Sequence, residues 1–311
     1  MSTFTNNPSG RGKSRIVHDI KNINTDRENL GDIEGVYFKF NVSDTLFSTK
    51  YDMLLTGPAD SPYTGGFYIF SAQFPDQYPY RPMQMKSLTQ GGKIRKHPNL
   101  YISGKCCFSF LGTWNGPPWT ACQNPTTVAI SMRSVLTNNP ITNEPGWEKK
   151  NNPSTKLYEN LVRYFNIRYA VIHISESKFK FKEFGEAIKK VFVKNFDVYK
   201  EEVLKIAHLD KKHVKSPVYN FSVYVDCTDL NMRLDKLYLE FNPQEKLVNI
   251  LNTNSTDSET NETKAAKKHI RKCPVNPAIN YPENTIMDGL DGRKWKVRKY
   301  SESKKRWVLN K

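Results

Sequence analysis

The chain has 311 residues, a quarter of them charged, with a mean hydropathy of −0.65 and a formal net charge of +16. That length holds one sizeable domain with appendages, or two domains. No apolar run is long enough to span a bilayer, and residues 1–13, polar and rich in Gly, Ser and Asn, lack the apolar core of a secretory signal.

Residues 1–13 are therefore expected to be disordered. In 14–24, Ile16, Ile20 and Ile23 recur at helical spacing and predict a short amphipathic helix. Four strand-like runs follow, at 36–42, 47–55, 66–74 and 83–88, separated by turn signals such as Gly57-Pro58 and Thr64-Gly65-Gly66. Short connections between consecutive strands predict an antiparallel meander. Residues 75–125 are dense in Pro, Gly and Asn, yet rich in Trp, Phe and Cys, which argues for a functional loop rather than disorder. A helix is expected over 126–136. Apolar steps of three and four predict long helices over 157–174 and 184–209. The stretch 218–250 has no clear period. Residues 252–262 are Asn/Ser/Thr/Asp-rich and read as linker. The end, with Asp291-Gly292, Trp295 and Trp307 among alternating residues, predicts a small β-hairpin module. Between 264 and 311 there are 14 Lys and Arg against 4 Asp and Glu, so most of the charge excess sits in this tail. It suits nucleic acid or an acidic partner, or simply solvation.

Five cysteines, Cys106, Cys107, Cys122, Cys227 and Cys273, form no C-x-x-C pair, which argues against a disulfide framework or a zinc ribbon. A thiolate is the best side-chain nucleophile at neutral pH. Cys107 lies in an irregular, aromatic-rich segment where a thiol can be reached from solvent, and Asn99, eight residues earlier, can offer an amide donor to a developing oxyanion. His97, two residues from Asn99 across Pro98, is awkwardly placed for a peptidase-type base. On residue chemistry alone a buried structural cysteine, a peptidase and an acyl transferase all stay open.

The order of motifs narrows this. Gly57-Pro58, Pro62-Tyr63 with Gly65-Gly66, Phe74-Pro75 with Tyr78-Pro79 and Pro82, and His97-Pro98-Asn99 with Cys107 eight residues on resemble, in sequence, the catalytic domain of ubiquitin-conjugating enzymes. The stretch from Gly104-Lys105 through Leu111-Gly112-Thr113-Trp114, with Asn143-Glu144-Pro145-Gly146 later, is most similar to the large-type members with helical C-terminal extensions. The resemblance implies an α+β fold, the UBC fold: an N-terminal helix, a four-stranded antiparallel meander, an active-site loop, then C-terminal helices. It implies the organisation 1–13, catalytic domain 14–150, helical extension 151–250, linker 251–268 and basic tail module 269–311.

It also implies the chemistry. Cys107 would carry ubiquitin as a thioester received from the activating enzyme and pass it to a lysine amine of a protein or ligase-bound substrate. Cys106 replaces an apolar residue. Asn99 would stabilise the oxyanion or order the loop, and Glu144 would orient the acceptor lysine. His97, Pro98 and Trp119 would be structural at the site, and Tyr80 would face partners. Pro82 is followed by Met83 where the family has a second proline, which bears on partner choice. No metal or cofactor is expected in this chain, because ATP is spent by the activating enzyme, and no membrane association is expected. Competing readings are a non-catalytic ubiquitin-binding scaffold and a nucleic-acid-binding protein working through the tail. The tail, with Cys273-Pro274 and Arg306-Trp307, resembles short segments on proteins of large DNA viruses, and the Asn/Lys/Ile-rich composition fits an AT-rich genome. A viral enzyme in the cytoplasm or nucleus of an infected cell is the expectation.

Overall fold

The structure, a computed structural model, describes residues 10–40, 49–149, 151–177, 180–243, 278, 281–288, 293–301 and 304–310. It divides into two compact units, Met1–Thr253 and Asn254–Lys311. The predicted linker 251–268 and most of the predicted disordered start lie outside the described residues.

In the first unit, helix α1 (Gly10–Glu34) leads into four strands, β1 (Val36–Phe40), β2 (Lys50–Thr56), β3 (Phe67–Gln73) and β4 (Gln84–Ser87). They pair in the order β1-β2-β3-β4, all antiparallel, which is the predicted meander. The helix is longer than the predicted 14–24 at both ends and already includes Gly10–Lys13. Ile16, Ile20 and Ile23 are buried as their spacing demands. Asp19, also buried, accepts hydrogen bonds from Arg15 Nε (2.9 Å) and the Tyr78 hydroxyl (2.5 Å). Arg15 in turn donates to the carbonyls of Ala121 and Gln123, so one buried carboxylate ties the helix to both flanks of the long loop.

Helix α2 (Pro125–Ser134) and helix α3 (Pro153–Phe165) start with the same device. Asn124 and Asn152 accept from the backbone N–H three residues on, and Thr127 and Thr155 return a bond to the cap's own N–H. Proline at the first helical position completes each Asn-Pro-x-Thr start. Helix α3 continues through π-helical turns (Asn166–His173) into α4 (Ile174–Glu176). Asn166 there takes the Tyr68 hydroxyl (2.7 Å) and donates to the Thr64 carbonyl (2.9 Å).

The predicted helix over 184–209 is two helices, α5 (Gly185–Lys194) and α6 (Phe196–Lys205). Asn195 sits at the break, where its side chain donates to the Val191 carbonyl at 2.8 Å; such back-bonding competes with continued helix. Glu202 of α6 is buried against Arg163 of α3, which also pairs with Glu159 at 2.6 Å. The unplaced stretch 218–250 contains one strand of a hairpin, β5 (Lys212–Lys215) with β6 (Ser222–Val225), and α7 (Cys227–Phe241), capped by Asp226. No described helix is long and apolar enough to cross a membrane.

Among the described residues the second unit has three strands rather than a single hairpin: β7 (Ile286–Asp288), β8 (Lys294–Ser301) and β9 (Lys304–Leu309), in antiparallel order. β7 and β8, which flank Asp291-Gly292 in sequence, pair as the predicted hairpin, and β9 is the added strand; residues 289–292 lie outside the described residues. Val297, Trp307 and Ala278 form its small core. Arg298 stands opposite Arg306, and Lys299 opposite Lys305, so like charges face each other across the β8–β9 ladder.

Candidate active site

After β4 the chain makes a narrow non-strand hairpin. Tyr101 N–H bonds the Lys105 carbonyl (3.0 Å), Gly104 N–H bonds the Tyr101 carbonyl (2.9 Å), and Gly104 takes φ +88° at the turn. A Cβ there would lie 2.8 Å from the Ser87 carbonyl oxygen, so the turn needs glycine. The hairpin sets Asn99 opposite Cys107. Cys107 N–H donates to the Asn99 carbonyl at 2.9 Å, and Asn99 Nδ2 donates to the Cys107 carbonyl at 2.7 Å. The eight-residue spacing is the length of this reciprocal clasp.

His97 is buried and its ring is fully engaged. Nδ1 accepts from the Asn99 N–H at 3.0 Å, which leaves Nε2 as the protonated nitrogen, 3.1 Å from the Val135 carbonyl. Burial lowers its pKa to about 3, so it is a neutral hydrogen-bonding brace between this loop and the end of α2. Pro98 is buried beside it, and its carbonyl accepts from Arg95 at 2.6 Å.

The two adjacent cysteines differ. Cys106 packs in the main apolar core, and burial pushes its thiol up to about 12. Cys107 is buried as well, only 2% exposed. The expectation of a solvent-open thiol is therefore corrected. Residues 108–113, with Phe108 and Leu111 themselves in the core, fold back as a cap through a 3-10 turn (Ser109–Leu111) and Gly112 at φ +66°. The Cys107 thiol donates to the Thr113 carbonyl at 2.9 Å. Thr113 Oγ1 accepts from the Phe108 N–H at 2.9 Å and lies 3.0 Å from the Cys106 carbonyl. Thr113 itself is exposed, so one surface residue pins a thin cap over the sulfur. Thr113→Val removes those hydroxyl bonds and is expected to raise the iodoacetamide labelling rate of Cys107 about five- to tenfold, read by mass spectrometry. An unchanged rate would show that the hydroxyl does not hold the cap.

Trp119 Nε1 donates to the Pro79 carbonyl at 2.7 Å, bracing the two long loops against each other, and Tyr80 is 75% exposed beside that brace. Glu144, half-buried, is reached from far along the chain: the Tyr219 hydroxyl, at the tip of the β5–β6 hairpin, donates to its carboxylate. The Tyr219 ring stacks on the Arg95 guanidinium at 4.2 Å, and Tyr101 covers that group at 3.9 Å. Structure thus joins His97, Pro98, Asn99 and Cys107 in one clasp, and links Glu144 to the same loop through Tyr219 and Arg95. Arg95 and Tyr219 lie in no motif of the sequence, and Thr113, though inside the run Gly104–Trp114, is given no role there.

Lys96, next to His97, is fully buried with its ammonium nitrogen 3.3 Å from Gln90 Oε1 and 5.4 Å from the centre of the Phe165 ring. Burial lowers its pKa to about 7. The unfolded chain holds this proton up to the ordinary lysine value of 10.5, so between about 7 and 10.5 it binds more protons than the fold does. Stability is therefore expected to rise with pH across that window. Lys96→Met should be more stable than the parent by on the order of a few kcal/mol near pH 7, with the gap closing toward pH 10 in denaturant titrations. A pH-independent gap would refute this.

The N-terminal helix, the four-stranded meander and the clasped cysteine loop define a ubiquitin-conjugating (UBC) fold. Residues 22–166 match the family model described as ubiquitin-conjugating enzyme. Ubiquitin-conjugating enzyme E2 Z of Homo sapiens is 38% identical over 198 residues, covering 63% of this chain and 56% of that protein. E2 Z of Xenopus tropicalis is 35% identical over 202 residues, covering 64% of each. A probable ubiquitin-conjugating enzyme of Acanthamoeba polyphaga mimivirus is 33% identical over 150 residues, covering 45% of this chain and 10% of that protein. The chain thus spans little more than half the length of the first of these relatives.

Proposed function

We propose that this protein accepts ubiquitin as a thioester on Cys107 from the activating enzyme and transfers it to a lysine amine. The observation that carries the reading is the clasp. Asn99 and Cys107 hold each other by two hydrogen bonds, and the sulfur is bonded to the Thr113 carbonyl at the end of the six-residue cap 108–113. The Cys107 thiolate attacks the carbonyl carbon of the activating enzyme's thioester; the new C–S bond forms and the donor's thiolate leaves. A lysine nitrogen then attacks the same carbon, the bond to Cys107 sulfur breaks, and the ammonium proton is shed to a base or to water.

The Asn99 amide has two hydrogens, and the Cys107 carbonyl takes one. The other suits the oxyanion of the tetrahedral intermediate. Glu144 orients the incoming amine. His97, Pro98 and Trp119 keep the loops in place, and exposed Tyr80 serves the partner surface. ATP acts on the activating enzyme, and this chain needs no cofactor of its own. A viral relative supports a viral enzyme working in the cytoplasm or nucleus of its host. The opposed Arg298–Arg306 and Lys299–Lys305 pairs suit an anionic partner for the second unit.

The test is loading with activating enzyme, ATP and ubiquitin, resolved on non-reducing gels. A thiol-labile, ATP-dependent adduct is expected. Absence of an adduct with ubiquitin and with every ubiquitin-like modifier tried would end this reading.

A further inference from the structure

We propose that Tyr219, delivered by the β5–β6 hairpin of the C-terminal extension, is a positioning residue for lysine transfer: its hydroxyl fixes the Glu144 carboxylate, and its ring fixes Arg95 against the His97-Pro98-Asn99 loop. The inference rests on the reading that Glu144 orients the acceptor amine.

The hairpin is shaped for this delivery. Val214, Val223 and Val225 anchor its strands in the core. At the tip, Ser216 N–H bonds the Phe221 carbonyl at 2.9 Å, and the Ser216 hydroxyl bonds the Val218 carbonyl. Tyr219 follows with φ +56°, a left-handed backbone that a bulky residue adopts only when its surroundings repay the strain. Three contacts do so. The hydroxyl donates to Glu144, and one ring face stacks on Arg95 at 4.2 Å. The ring meets Tyr158 edge-on at 5.7 Å, and the Tyr158 hydroxyl holds the Arg95 carbonyl at 2.7 Å. Arg95, also 3.9 Å from the centre of the Tyr101 ring, then donates to the Pro98 carbonyl at 2.6 Å. A residue 75 positions from Glu144 therefore links that carboxylate to the loop that clasps Cys107.

Chemistry gives the link a purpose. An attacking ammonium must align with the thioester carbon and lose its proton before nitrogen can form the new bond. A carboxylate on a half-exposed loop swings unless a donor holds it, and a neutral O–H donor holds it without cancelling its charge. Burial, then the bond to Glu144, keeps the Tyr219 hydroxyl protonated well above its ordinary range, so it remains a donor wherever lysine discharge is measured.

The experiment is single-turnover discharge from the full-length protein loaded with ubiquitin, after ATP is removed, with free lysine or hydroxylamine as acceptor between pH 7 and 10. Parent, Tyr219→Phe, Glu144→Gln and the double variant are compared. Tyr219→Phe is expected to slow discharge to lysine about tenfold at neutral pH, the loss of one charge-assisted hydrogen bond. The defect should shrink toward pH 10, where free lysine supplies neutral amine. Hydroxylamine, already neutral, should discharge Tyr219→Phe at the parent rate, and the double variant should be no slower than Glu144→Gln. Equal slowing with both acceptors would reduce Tyr219 to a structural strut and overturn the proposal. Parent-like lysine discharge by Tyr219→Phe beside a slow Glu144→Gln would overturn it while leaving the Glu144 reading intact. Parent-like discharge by Glu144→Gln would remove both.

Discussion

Cys107→Ala is expected to abolish the ubiquitin adduct outright, and Cys106→Ala to keep it. The neighbours are chemically identical and differ only in surroundings. Cys106 is part of the apolar core, and burial raises its pKa to about 12, so its thiolate is scarce at neutral pH. Nothing short of opening the core would bring a protein-sized acyl donor to it. The Cys107 thiol is bonded to the Thr113 carbonyl at the end of residues 108–113, and exposing it means moving that short segment, whose Phe108 and Leu111 are themselves packed in the core. Cys106→Ala should load with a stability cost of about 1–2 kcal/mol for the lost buried sulfur. The outcome that sinks the assignment is an adduct that survives Cys107→Ala and disappears in Cys106→Ala.

Arg163→Ala is expected to cost about 3–5 kcal/mol, the largest stability effect of any single change considered. Arg163 bridges Glu159 on its own helix and buried Glu202 on α6. Without the guanidinium, Glu202 keeps only Lys205, at 2.5 Å but half-exposed, as a charged partner. A fall of roughly 10 °C in the melting temperature follows for a unit of this size. The paired change Arg163→Met with Glu202→Met removes both charges and should recover most of the loss, because a buried ion pair contributes little beyond not being broken. A single variant that melts like the parent would show that the pair is solvated in solution.

The parts of this protein legible in its sequence are those fixed over short distances. The meander showed in alternating runs between Gly and Pro turns, and the interval from Asn99 to Cys107 showed as a family spacing, although the reciprocal clasp that uses it did not. The helix starts at Pro125 and Pro153 were equally readable, since Asn-Pro-x-Thr carries its own cap, but periodicity alone placed them late. What was hidden depends on distant geometry. The break at Asn195 turns on one side-chain amide within an unbroken apolar pattern. The cap over Cys107 looked like an open loop, because nothing in the composition of 108–113 says that Thr113 will turn its carbonyl inward. Tyr219 sits in a stretch without period and acts across 75 residues, at a backbone angle that its side chain alone would not predict.

The widened turns after α3 act as a key. A regular α-helix can step along its neighbour by one turn and still present an apolar stripe. π-helical turns interrupt that translational sameness. Asn166 fits only where the Thr64 carbonyl and the Tyr68 hydroxyl wait together, and Tyr169 fits over Gly91 and Gly92, where any side chain would collide with its ring. The trailing helices consequently cannot ratchet along the sheet. They are either seated in one notch or lifted clear of it, and whatever hangs from them, the β5–β6 tip included, inherits that all-or-none placement.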